Sequence, residues 1–86
     1  MKILPIGSVV LLKGANKKLM IYGLKQEDIE AKVTYDYVGC LFPEGNIDAN
    51  SNYLFNGVDI EKVYFVGYMD EEQEKFLESI PSQLFR

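Results

Sequence analysis

The stretch KVTYDYVGCLF, residues 32–42, decides the fold. Its first half alternates. Val33, Tyr35 and Tyr37 fall on one side of an extended chain, and Thr34 and Asp36 on the other, the period-two pattern of a strand. Past Asp36 the second side also turns apolar, at Val38, Cys40 and Phe42, so the strand should become buried on both faces towards its end. Gly39, in mid-strand, predicts a bulge or a close backbone approach, the bend a small barrel needs at a corner. The run stops at Pro43-Glu44-Gly45, a turn.

Working outward, the same reading repeats. Ser8–Leu12 is a short apolar run bounded by Gly7 and Gly14, expected as a strand covered on both faces. Gly14-Ala15-Asn16-Lys17-Lys18 supplies turn residues, and Lys18–Leu24 is a second apolar run placed to pair with the first as a hairpin. Residues 25–31 are charged, with Ile29 their one bulky apolar residue, and read as a loop or a single helical turn. Residues 43–52 form a polar loop of ten. A short strand from Tyr53 follows, then a tight Asn56-Gly57 connection, one helical turn near Asp59–Lys62, and a strand from Val63 to Tyr68 with no plainly polar face. Asp70 and Gln73 have the spacing of a capping box. Phe76, Leu77 and Ile80 make one apolar stripe at helical spacing, and Pro81 should stop the helix at Ile80. Leu84 and Phe85 are left to dock back or to stay exposed.

Five strands and one C-terminal helix at about residues 70–80 predict a single β-rich domain over 1–86. The expected class is mainly β, or β-dominated α+β. Its form is a small curled five-stranded sheet or an SH3-like, partly open barrel, which leaves few exposed edges. A chain of 86 residues holds one modest core. Its eleven aromatics, six Tyr and five Phe, help that core suffice.

The net charge is −4 and the isoelectric point about 4.7. A long phosphate backbone would be repelled unless a local basic patch reversed the balance. The one basic cluster, Lys13, Lys17 and Lys18, reads most simply as a solubilised hairpin tip. Cys40 is alone, which excludes an internal disulfide, and its apolar setting predicts a buried small hydrophobe. Pro5 and Gly7 break the N-terminal apolar stretch, so no signal peptide is expected, and no apolar run is long enough for a spanning helix. A cytoplasmic protein, with no membrane or nucleic-acid partner, is the expectation.

Catalytic patterns are scarce. Histidine is absent, which removes the usual neutral-pH base and with it any serine–histidine or cysteine–histidine pair. Asp36 and Glu44 are the nearest candidate carboxylate pair, but no spacing rule joins a strand residue to a turn residue. Asp48, Asn50, Asn52 and Asp59 imitate a calcium loop. The imitation fails at Tyr53, where the sharp turn needs glycine, and at Asp59, where the last ligand should be a bidentate Glu. Asx-type turns explain the cluster without an ion. No catalytic, cofactor or metal residues are therefore assigned.

Three segments carry a resemblance: LPIGSVVLLKGANKKLMIYGL (4–24), YDYVGCLFPEG (35–45) and YLFNGVDIEKVYFVGYMDEEQEKF (53–76). In that order they resemble a family of small Gram-positive bacterial proteins of unknown function, frequently encoded in type VII secretion gene clusters. The resemblance spans residues 4 to about 77. It implies an accessory adaptor for secreted toxins that carry an N-terminal helical LXG domain. That domain is the expected partner, with or without a second small helical protein, and no catalytic or cofactor residues come with the resemblance. Two other classes stay open: an immunity protein for the toxin's catalytic half, and a small nucleic-acid-binding barrel. For an adaptor, the contact surface should be aromatic and rimmed by acids, and the residues beside the 43–52 loop are best placed: Tyr37, Phe42, Pro43, Glu44, Tyr53 and Phe55.

Overall fold

A computed structural model describes residues 3–80. Five antiparallel strands form one sheet: β1 (Val9–Leu12), β2 (Leu19–Asp28), β3 (Val33–Leu41), β4 (Asn52–Phe55) and β5 (Ile60–Phe65). A 3-10 turn, Gly57–Asp59, joins β4 to β5, and a helix, α1 (Glu71–Ser79), follows. The order across the sheet is β4-β3-β2-β1-β5, so β4 and β5, joined by a short link, are its two edges. Laid flat, five strands at roughly 4.8 Å spacing would hold those edges about 19 Å apart. A link that is mostly 3-10 turn, rising about 2 Å per residue, cannot span that. The sheet must curl. This is the connectivity expected of a partly open SH3-like barrel, and the chain is mainly β.

The curl encloses a core of Val10, Leu19, Ile21, Tyr37 and Phe55, with Ile3, Leu4, Leu12, Leu24, Leu41 and Ile60 packed around it. Register explains the membership. Leu19 pairs with Leu41, Ile21 with Gly39, and Tyr37 with Phe55, so these side chains share the concave face. The Tyr37 and Phe55 rings lie 5.4 Å apart. Gly39 makes this possible, since a Cβ there would sit 3.2 Å from the Phe55 ring and 3.1 Å from the Met20 carbonyl. The close approach expected at Gly39 is present. The register shift lies one strand away, between Ile21 and Gly23, where Tyr22 is the extra residue.

Three local readings are corrected. Residues 25–28 are neither loop nor helical turn: β2 runs on to Asp28, pairing Gln26 with Tyr35, Glu27 with Thr34 and Asp28 with Val33. The ladder to β3 supplies the backbone bonds, which overrides the polar composition. The helical turn expected at Asp59–Lys62 falls earlier, at Gly57–Asp59, and the last strand begins at Ile60 and ends at Phe65. It is the 3-10 turn that carries a full capping box, with the Asn56 N–H donating to Asp59 Oδ2 at 2.9 Å. At α1 only the forward half of the box forms among the described residues, the Gln73 N–H donating to Asp70 Oδ1 at 2.9 Å. Ile80 turns extended at φ −93° and ψ 123°, as the following proline requires. Leu84 and Phe85 lie outside the described residues.

The N-terminal segment is tied in by buried polar groups. Ser8, fully buried, donates from Oγ to the Pro5 carbonyl at 2.8 Å and accepts from the Gly67 N–H at 3.0 Å. Gly67 lies so close to this segment that a Cβ would stand 2.0 Å from the Ile6 carbonyl oxygen. The Leu4 N–H donates to the Tyr37 hydroxyl at 3.0 Å. Among the described residues, no helix is long and apolar enough to cross a membrane.

Candidate protein-binding surface

Of the six residues expected at a partner surface, the sheet takes two into its core. Tyr37 is 1% exposed and Phe55 2%, so neither is free to meet a partner without unfolding. Both belong to the concave face because β3 and β4 pair them directly. Burial holds the Tyr37 hydroxyl above its ordinary pKa, partly offset by the Leu4 N–H, while the neighbouring charge of Asp36 adds to the rise.

The other four remain at the surface. Phe42 is 39% and Tyr53 44% exposed, and Pro43 and Glu44 stand out between them in sequence. The Phe42 N–H donates to the Lys18 carbonyl at 3.0 Å, and the Gly45 N–H to the Leu41 carbonyl at 2.7 Å, so this turn is pinned to the sheet. Glu44 pairs with Lys17 at 2.7 Å. That hydrogen bond holds the Glu44 carboxyl below the usual carboxylate range.

Around these four lie side chains that the sequence reading passed over. Ile47 in the loop and Leu54 on β4 are also exposed, Leu54 on the opposite face of the strand from Tyr53, and Tyr22 donates its hydroxyl to Asn52 Oδ1 at 2.5 Å, linking β2 to the edge strand β4 across β3. The edge strand β5 leaves Val63, Tyr64 and Phe65 between 41% and 60% exposed. A strand without a polar face ordinarily means cover on both sides. Here it means that both sides are open, and the signal available in the sequence was position: the last strand of a curled five-stranded sheet is an edge.

The carboxyl groups considered for chemistry are placed apart. Asp36 is fully buried and accepts from the Gly57 N–H at 2.8 Å, while its own N–H donates to Asn56 Oδ1 at 3.0 Å. It braces the β4–β5 link. Glu44, at the other end of β3, is exposed and engaged by Lys17. The calcium-loop imitation also dissolves into turns. Asp48 Oδ1 accepts from the Asn50 N–H at 2.8 Å and from Ser51 Oγ at 2.9 Å, Asn52 is held by Tyr22, and Asp59 caps the 3-10 turn. Cys40 is buried, as its apolar setting predicts. A groove of about 320 Å³, open to solvent, runs between Ile3 and the helix residues Gln73 and Leu77, with Met69 at one side. Among the described residues its lining holds no nucleophile–base pair.

What these observations describe is a braced scaffold that leaves apolar and aromatic side chains exposed among charged ones. A family model described as a domain of unknown function, DUF4176, matches residues 3–76. The chain belongs to the DUF4176 family. The match runs from the N-terminal segment through all five strands into α1, so every residue of the surface described above lies within the DUF4176 region. No curated protein and no solved structure matches the chain.

Proposed function

We propose that this DUF4176 chain is a non-catalytic binding protein, an adaptor that docks the N-terminal helical domain of an LXG-type toxin handled by type VII secretion. One observation carries the binding part: Phe42, Ile47, Tyr53 and Leu54 are exposed around the 43–52 loop of a domain whose core is already closed. Apolar side chains gathered at a surface mark contact sites more often than they serve stability, and aromatic residues supply most of the energy in such contacts. The toxin as partner is supported by the three sequence segments that resemble secretion-cluster proteins.

The experiment is co-expression with the separated halves of a toxin encoded beside this chain. The expected result is a stable complex with the N-terminal helical half, with or without its other small helical partner. Tyr53→Ala, a folded surface variant, should weaken that complex by about 1–3 kcal/mol if it lies at the centre of the contact. Capture of the C-terminal half alone would convert the reading to an immunity protein. Failure to bind either half would remove the adaptor reading.

A further inference from the structure

The rim of this surface carries lysines as well as the acids its sequence suggests. Glu44 is the acid expected there, and Lys17 engages it at 2.7 Å. What remains free in charge is lysine. Lys18 Nζ stands 6.0 Å from the centre of the Phe42 ring and 5.3 Å from that of Tyr64. Lys62 Nζ stands 4.7 Å from the Tyr64 ring. The backbone sets this group: Phe42 N–H bonds to the Lys18 carbonyl, Lys62 pairs with Leu11 on β1, and the Lys13 N–H bonds to the Asp59 carbonyl at 2.9 Å. The β1–β2 turn, the end of β3 and the start of β5 thus converge on one patch of two ammonium groups and two rings.

The acids nearest in sequence keep their charge but form no ion pair with Lys18 or Lys62 among the described residues. Asp59 is committed to the cap of the 3-10 turn, and Glu61 is the other acid on β5. Of the other acids, Asp36 is buried on β3 and Asp48 is held in the turns of the 43–52 loop, while Asp70, Glu71, Glu72, Glu74 and Glu78 lie on or cap α1, and Glu27, Asp28 and Glu30 lie at the β2–β3 end. The molecule is acidic in total, yet this site presents two ammonium groups that no carboxylate engages among the described residues. A lysine resting against a ring keeps its ammonium donors available while its rotamers are narrowed, so less entropy is lost when it pairs.

We propose that Lys18, Lys62, Phe42 and Tyr64 form a docking site for an acidic protein segment. Its carboxylates meet the two ammonium groups, and an apolar side chain lies on the rings. The inference rests on the adaptor reading for the identity of the partner, and on this geometry alone for the partner's charge. Net charge separates a protein segment from nucleic acid. A short acidic segment feels the local field within a Debye length of about 8–10 Å, whereas a long polyanion also meets the acids beyond it.

The test titrates the full chain with a synthetic amphipathic peptide of alternating Glu and Leu turns, followed by amide NMR shifts. Shifts confined to the backbone around Lys18, Phe42, Lys62 and Tyr64, diminishing with salt, are expected. The double variant Lys18→Glu, Lys62→Glu should lower affinity about tenfold. Lys75→Glu, a like charge reversal on α1, should leave it within about twofold, since that lysine is exposed and pairs with Glu71 away from this site. Shifts elsewhere, equal affinity for a lysine-rich peptide, or tighter binding of a single-stranded RNA oligonucleotide would overturn the proposal. The toxin's helical domain then separates the two readings. If wild-type protein binds it and the double variant binds it equally, the adaptor stands and this site falls. If wild type holds the peptide here but not the domain, the site stands and the adaptor falls.

Discussion

Replacing Asp36 with alanine tests how the sheet is held curled. The Asp36 carboxyl is fully buried and accepts the Gly57 N–H at 2.8 Å, at the point where the chain passes from one edge strand to the other. Alanine removes that acceptor and leaves the amide without its partner. A hydrogen bond to a carboxyl oxygen is worth roughly 1.5–3 kcal/mol, and an orphaned buried donor costs about 1–3 kcal/mol, two views of largely the same loss. A small cavity adds to it. The expected total is about 3 kcal/mol. Against a stability of about 4–13 kcal/mol for a chain of this length, that is a large fraction. The melting temperature should fall by about 12–24 °C. Asp36→Asn keeps an oxygen facing Gly57 and should lose only about 1 kcal/mol. Urea titration followed by tyrosine fluorescence, with thermal melts by circular dichroism, reads both. An alanine variant within about 0.5 kcal/mol of wild type would refute the brace.

Ser8→Ala removes a buried hydroxyl that both donates to Pro5 and accepts from Gly67, and a loss of about 2 kcal/mol in the same urea titration is expected. Raised pH should unfold the protein through Tyr37. Because burial raises its folded pKa above that of the unfolded chain, its contribution is fully present below about pH 10 and is lost as pH climbs through the folded value. Tyr37→Phe should flatten that alkaline limb while lowering stability near neutrality, since the Leu4 N–H loses its acceptor. Millimolar calcium should leave the melting temperature unchanged, because Asp48, Asn52 and Asp59 are already engaged in separate turns; a rise of several degrees would contradict this.

Local chemistry by itself determined much of this protein. Alternation and β-branched runs bounded by glycine marked the strands. Asp70 marked the start of the helix, Pro81 its stop, and the apolar setting of Cys40 its burial. Each of these is decided within a few residues, by backbone geometry or side-chain period. Pairing decided the rest. A ladder to β3 drew the charged residues 26–28 into β2, and register put Tyr37 and Phe55 inside while leaving Phe42 and Tyr53 outside. Edge position left Val63, Tyr64 and Phe65 of β5 exposed, where the sequence showed only a strand with no plainly polar face. Likewise, Lys18 and Tyr64 are far apart in sequence and meet only because β5 returns beside β1. Composition gave the total charge of −4, but only the curl of the sheet decided that Lys18 and Lys62 stand beside exposed aromatic rings, because the surroundings of a charge depend on which residues become its neighbours in space.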